Sequence, residues 1–183
     1  MYLFSKKMAD KEILNYLSSA KEGMPNEKAV NISIGSGADT RHIGSRHLEI
    51  LRQACAESGN YRPVITSGYR DIELQIKAMY RNIVRDYAGQ RRLYLGGGQR
   101  VIDAYDEAKK QGKSEGEILA AMLRKARETG PENVSRHCAQ GCVFDVAASS
   151  LQNAEDFKRE IRKRARKVLD ERSQGNNCIH IEL

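Results

Sequence analysis

Two short apolar segments near the end of the sequence constrain the fold most, because each carries a titratable side chain among apolar neighbours. Residues 142–147 read CVFDVA and residues 178–183 read CIHIEL. Side chains alternate between the two faces of a strand, and a carboxylate that strand packing buries needs a partner charge or a metal ion. If the two strands pair, Asp145 and His180 converge, and His137 enters from the loop before the first strand.

These three side chains form a plausible donor set for a metal ion. Two imidazoles and one carboxylate are ligands that a catalytic zinc ion takes while one position stays open for water. Taken singly, a histidine is more often a hydrogen-bonded structural residue, and an aspartate near a strand end often caps a neighbouring backbone group. Together with the alternation of both strands, His137, Asp145 and His180 predict a metal site.

Cysteines near the same segments are the basis of an alternative prediction, a structural zinc site. Cys138 and Cys142 have a spacing that occurs in structural zinc sites, and Cys178 with a histidine would complete such a set. Cys142 and Cys178 are equally compatible with apolar packing or with a disulfide formed after export. Four cysteines in 183 residues do not make a disulfide scaffold.

The order of predicted elements indicates an α+β fold in which helices flank a small antiparallel sheet that carries the metal site. At 183 residues the chain is predicted to be a single domain, residues 1–183, with a helical insertion at about 88–130. Apolar periodicity predicts the following elements. The helices are at residues 10–17, 45–58, 72–87, 101–111, 115–128 and 151–172, and the strands are at 29–34, 62–67, 142–147 and 178–183.

The net charge of +7, from 31 basic and 24 acidic residues, favours anionic partners. The basic residues of segment 158–167 are predicted to form a solvated helix face. Aromatic residues are only 6% of the chain and do not interleave with the basic ones, so base stacking has no platform and nucleic acid is the weaker partner. We expect no membrane span, because no apolar run approaches about 20 residues, and no signal peptide.

Three short motifs, in order, resemble a known family. Residues 67–70 read Ser-Gly-Tyr-Arg, Ser135-x-His137 is followed by Gly141 and Asp145, and His180-x-Glu182 ends the chain. This pattern is similar to that of the zinc D-Ala-D-Ala carboxypeptidases and dipeptidases. That family includes phage L-alanyl-D-glutamate endolysins and shares its fold with hedgehog-type domains. The resemblance covers residues 62–183, about two thirds of the chain.

The resemblance implies a zinc-dependent peptidase that hydrolyses D-amino-acid-containing peptides of bacterial cell-wall peptidoglycan. It implies that zinc is bound by the three residues named above and that Arg70 stabilises the oxyanion. It also implies that Ser135, Ser67 and Tyr69 contact the substrate. Such an enzyme would be made in the cytoplasm and act at the cell wall or periplasm after lysis or specialised export. Anionic wall polymers would then be further partners.

The sequence departs from the family pattern at the general base. Many members carry glutamate three residues before the last histidine, where this chain has Asn177, which cannot accept a proton. We therefore expect Glu182, on the same strand face as His180, to be the base. Glu182 could instead orient a metal ligand or be a solvated terminal residue. The alternatives for the whole protein are a non-catalytic zinc-bearing wall-binding module and a basic zinc nucleic-acid-binding protein.

Overall fold

The computed structural model describes residues 29–183, so the predicted helix at residues 10–17 lies outside the described part. Contacts divide the chain into two compact units. Of the described residues, the first unit comprises 29–69 together with Gly141–Asp170 and Asn177–Leu183, and the second comprises Arg70–Gln140 and Glu171–Asn176. The predicted organisation as one domain with a helical insertion stays a prediction.

A five-stranded sheet forms the framework of the first unit, with the strand order β1-β2-β3-β5-β4. The strands are β1 Ser33–Ile34, β2 Val64–Ser67, β3 Val143–Ala147, β4 Lys167–Asp170 and β5 Cys178–Glu182. The α+β class is confirmed, but the sheet is mixed rather than wholly antiparallel, because β1 pairs parallel to β2. A helix connects these two strands, which is the kind of crossover that parallel pairing requires.

Seven α-helices lie within residues 29–183. They are α1 Ser45–Glu57, α2 Ile72–Arg85, α3 Tyr87–Leu93, α4 Gly97–Lys110, α5 Glu115–Thr129, α6 Pro131–Val134 and α7 Ala154–Arg162. Among the helices of this part of the chain, none combines the length and the apolar character needed to cross a membrane.

The core of the first unit lies on one face of the sheet, where α1 and α7 pack. Strand alternation puts the large apolar side chains on this face and leaves the polar ones on the other. The main core residues are Leu48, Leu51, Ile65, Phe144, Val146, Phe157, Ile161, Ile179 and Ile181. The opposite face of the sheet therefore carries Asp145, His180 and Glu182. Ser67 pairs with Asp145 because an irregularity between Ile65 and Ser67 shifts the register of β2 against β3.

The second unit is helical, and its core is formed by the apolar stripes of α2, α4 and α5. The cap of α2 is Asp71, whose Oδ1 accepts a hydrogen bond of 2.9 Å from the N–H of Leu74. In α5, Ser114 and Glu117 form a capping box. The main core residues are Ile76, Met79, Ile83, Val101, Ile102, Ile118, Met122 and Ala126.

The predicted long helix at residues 151–172 is wrong. The helix α7 ends at Arg162, and the chain then turns and forms the edge strand β4. Val168 pairs with Ile181 of β5 and packs against the core, which a continued helix would not allow. The predicted solvated face also fails in part, because Lys158 is buried and its Nζ lies 2.7 Å from Asp170 Oδ2.

Candidate metal centre

The antiparallel pairing of β3 with β5 brings two of the predicted ligands together. Asp145 lies directly opposite His180 in the register, and Ser67 of β2 lies opposite Asp145 on the other side. His180 Nδ1 lies 3.0 Å from Asp145 Oδ1. The predicted convergence of Asp145 and His180 is confirmed, and it follows from two paired strands that place polar residues on the same face of the sheet.

The third predicted ligand, His137, lies in a short 3₁₀ helix, Arg136–Cys138. Its backbone N–H donates to Ser135 Oγ at 3.3 Å, and its carbonyl oxygen accepts a hydrogen bond of 2.9 Å from the backbone N–H of Arg70. Two of the residues that the sequence predicts to serve the site, Ser135 and Arg70, are therefore tied to the backbone of His137.

His137, Asp145 and His180 form a buried cluster that can hold a metal ion. Each offers one ligand atom, and these atoms lie within 4.8 Å of one another. The three residues are 6%, 5% and 6% exposed, so their polar atoms need partners other than bulk water. Two ligands at about 2.0–2.1 Å from a tetrahedral zinc ion are about 3.3 Å apart. The 3.0 Å separation of His180 Nδ1 and Asp145 Oδ1 is close to this value.

Cysteines do not take part in this cluster. All four are free thiols, and burial raises the pKa of Cys138 and of Cys142 to about 12. Cys55 packs in the core of the first unit, as its position on the apolar side of α1 predicts.

Glu182 is buried and ion-paired, so it is not a solvated terminal residue. It is 3% exposed, and its Oε2 forms an ion pair with a guanidinium nitrogen of Arg166. Its Oε1 lies 3.6 Å from His180 Nε2 and 3.8 Å from Lys167 Nζ. Glu182 therefore contacts the imidazole nitrogen that Asp145 does not contact. Arg166 could not be predicted as a partner of Glu182, since it lies within residues 151–172, which were wrongly predicted to be one helix.

Arg70 is held by a hydrogen-bonded chain within the second unit. Its Nη1 donates to Gln75 Oε1 at 3.1 Å, and Gln75 Nε2 donates to the hydroxyl of Tyr94 at 3.0 Å. Gln75 is fully buried, and both ends of its amide group are hydrogen-bonded. Neither Gln75 nor Tyr94 was predicted from the sequence to serve the site. A polar residue on the apolar side of α2 was the available signal.

The remaining residues of the Ser-Gly-Tyr-Arg motif are packed against a loop of the first unit. A Cβ atom on Gly68 would lie 2.2 Å from the carbonyl oxygen of Asp39, so this close approach requires glycine. The N–H of Tyr69 donates to that same oxygen at 2.9 Å. The guanidinium of Arg41 lies 4.3 Å from the centre of the Tyr69 ring and pairs with the Asp39 carboxylate. Asp39 and Arg41 were not predicted from the sequence.

Asn177, at the position where the family carries its glutamate, is exposed at the start of β5. Its Nδ2 donates to Ser149 Oγ at 3.1 Å, and its carbonyl oxygen accepts from the N–H of Ala148 at 3.1 Å. These contacts secure the turn into β5 and provide no group that accepts a proton. The assignment of Glu182 as the base stays a prediction.

Comparison of the chain with protein-family models, with curated proteins and with solved structures finds no match. The family resemblance therefore rests on the three motifs and stays a prediction. The buried cluster is independent of it, because the cluster rests on the positions of the side chains.

Proposed function

We propose that the protein is a zinc-dependent peptidase that hydrolyses peptides containing D-amino acids, in the stems of bacterial peptidoglycan. The observation that carries this proposal is the buried cluster of His137, Asp145 and His180. Two imidazoles and one carboxylate make up a donor set of the kind found in catalytic zinc sites, which keep a position open. A structural site would instead have four protein ligands.

The roles of the residues follow from their chemistry. His137, Asp145 and His180 would hold the zinc ion, which supplies Lewis-acid polarisation of a substrate carbonyl. Arg70 offsets the negative charge that develops on the carbonyl oxygen. Its guanidinium is permanently charged and presents a planar fork of donors, and its contact with Gln75 limits the directions in which that fork can point.

The substrate class is inferred from the resemblance of the three motifs to the D-Ala-D-Ala peptidase family. The residues that would contact the peptide are Ser67, Tyr69 and Ser135. The net charge of +7 fits a substrate embedded in anionic wall polymers. Hydrolysis would take place at the cell wall or in the periplasm, after lysis or specialised export.

Hydrolysis of purified peptidoglycan tests the proposal. The zinc-loaded protein is incubated with the wall material and, separately, with two synthetic stem peptides that differ only in the chirality of their residues. Mass spectrometry of the products should show cleavage of the wall and of the D-containing peptide, with the all-L peptide intact. Equal cleavage of both peptides would contradict the substrate class, and no cleavage of any substrate would contradict the activity.

A second candidate is a non-catalytic wall-binding module with the same zinc site, and Asn177 favours it because amide groups do not accept protons. The two candidates differ in a co-sedimentation experiment with insoluble peptidoglycan. A binding module should sediment with the wall and leave its peptides intact, whereas the peptidase should release peptides into the supernatant.

The nucleic-acid alternative gains little support from the basic segment 158–167. Most of its charges are paired with carboxylates inside the first unit, which reduces the net positive charge that the segment presents to phosphates. The pairs are Lys158 with Asp170, Arg159 with Asp156, Lys163 with Glu160, Arg164 with Glu57, and Arg166 with Glu182.

A further inference from the structure

We propose that Arg166 is a positioning residue for the metal site and acts through Glu182 on His180. This inference rests on the proposed zinc site, and it assigns Glu182 the task of orienting His180 in place of proton acceptance. All three residues belong to the first unit, and none of the three motifs contains Arg166.

The imidazole of His180 lies between two carboxylates that contact different ring nitrogens. Nδ1 is 3.0 Å from Asp145 Oδ1, and Nε2 is 3.6 Å from Glu182 Oε1. Nδ1 is therefore the ring nitrogen on the side of the fellow ligand Asp145, and Glu182 is not one of the three clustered residues. In metal sites a ligating histidine usually donates its other ring N–H to a carboxylate, a carbonyl or a water, which fixes its tautomer and ring orientation. Glu182 is in the position for this task.

Arg166 contacts Glu182 at two places, its carboxylate and its backbone carbonyl. Its guanidinium pairs with Oε2, and its backbone N–H donates to the carbonyl oxygen of Glu182 at 2.9 Å. The backbone bond fixes Arg166 beside the end of β5, and the ion pair engages one carboxylate oxygen. The other oxygen, Oε1, is then the one that faces His180 Nε2.

The surroundings of the Glu182 carboxylate also favour an orienting role. Its Oε2 is engaged by Arg166, and its Oε1 faces His180 Nε2. The 3.6 Å between His180 Nε2 and Glu182 Oε1 exceeds hydrogen-bond length. A shift of a few tenths of an ångström would complete the hydrogen bond from His180 to Glu182. Arg166 and Glu182 together thus resemble an orienting pair more than a general base and its neighbour.

Removing the charge of Arg166 should change the zinc affinity in a direction that tests the proposal. By electrostatics alone, removing a positive charge from the neighbourhood of a cation site should tighten zinc binding. A positioning role predicts the opposite, because loss of the ion pair lets the Glu182 carboxylate rotate away from His180. Loss of such an outer partner typically weakens metal affinity about 10–100-fold.

The experiment measures zinc affinity by competition with a chelating indicator, for the full-length protein and three variants. Arg166→Met removes the ion pair, and Arg166→Lys keeps a charge that can pair with Oε2. Arg164→Met is the matched control, since Arg164 lies in the same turn and pairs with Glu57. Thermal unfolding followed by circular dichroism establishes that each variant is folded.

We expect Arg166→Met to bind zinc about tenfold more weakly than the wild type, and Arg166→Lys and Arg164→Met to bind it nearly as tightly. Unchanged or tighter binding by Arg166→Met would overturn the proposal. If the wild type binds no zinc, the proposed zinc site itself fails, and this outcome is recognised before any variant is compared.

Glu182→Gln separates the two roles of Glu182 in a second measurement. An orienting role predicts zinc affinity about 10–100-fold weaker, with turnover largely recovered at saturating zinc. A general base predicts unchanged zinc affinity and turnover about 10²–10⁴-fold slower even at saturating zinc. The second pattern would overturn the orienting role.

Discussion

At the scale of single residues, the contacts of Arg70 distinguish it from an ordinary surface arginine. Its backbone N–H bonds to the carbonyl of His137, and its guanidinium bonds to the buried side chain of Gln75. An arginine that only began a helix would need neither contact. The sequence pointed to Arg70 through a motif, whereas its support by Gln75 and Tyr94 could not be predicted, because residues 70, 75 and 94 share no local pattern.

Arg70→Ala should leave zinc binding intact and slow peptide hydrolysis by about 10²–10³-fold, the usual effect of losing one oxyanion stabiliser. Arg70→Lys should recover only part of the rate, because a point charge lacks the planar fork of donors. Steady-state kinetics with a D-containing stem peptide measure both effects. Arg91→Ala is the control, as Arg91 pairs with Asp103 in the same helical unit. Equal rates for wild type and Arg70→Ala would rule out the role.

At the scale of elements, periodicity predicted α1, α2, α5, β3 and β5 to within a few residues, because each carries a long or regular apolar pattern. The buried residues of α1 are those expected: Leu48, Leu51, Ala54 and Cys55. The prediction failed at residues 151–172, where charged residues flank a short apolar pair in β4. Edge strands are commonly short and charged, and such a segment can be read equally well as the end of a helix.

His47 gives α1 a dependence on pH. Its Nδ1 accepts a hydrogen bond of 3.0 Å from the backbone N–H of Gly44 at the start of the helix, and only the neutral ring can accept it. Burial, and then the charge of Arg46, lowers the pKa of His47 from its usual value near 6.5. The stability it contributes is thus complete above pH 6.5 and is lost as the pH falls through the lowered folded-state pKa.

Thermal unfolding from pH 8 to pH 4.5 tests this dependence against His47→Gln, whose side chain can accept the same bond and does not titrate. We expect the wild type to lose more stability than the variant below pH 6.5. Parallel curves for the two proteins over the whole range would show that His47 does not contribute to the pH dependence.

Gly68→Ala should destabilise the turn that follows β2. The new Cβ would lie 2.2 Å from the carbonyl oxygen of Asp39, and backbone must move to relieve the overlap. The cost of such overpacking is about 1–3 kcal/mol, measured by denaturant unfolding. Gly37→Ala is the control in the same unit, because nothing lies within 4 Å of its Cβ position. Equal stability of the two variants would contradict the close approach.

At the scale of the whole molecule, the candidate site draws on residues that are far apart in sequence. The sequence located His137, Asp145 and His180, because strand alternation and short motifs are local signals. It could not locate Arg166 or Gln75, whose roles depend on contacts with residues 182 and 70. The net charge could not be interpreted from the sequence alone either. It suggested an anionic partner, whereas many of the basic residues form ion pairs with carboxylates of the same chain.

The central claim is that the His137, Asp145 and His180 cluster binds one zinc ion. The most direct measurement is the zinc content, by elemental analysis after gel filtration, of the wild type, His180→Ala and Cys178→Ala. Cys178 is the matched control, because it lies on the same strand face as His180 and belongs to the alternative cysteine site. We expect one zinc per chain in the wild type and in Cys178→Ala, and none in folded His180→Ala. Zinc retained by folded His180→Ala would show that the cluster is not the zinc site, and its loss from Cys178→Ala would favour the cysteine site.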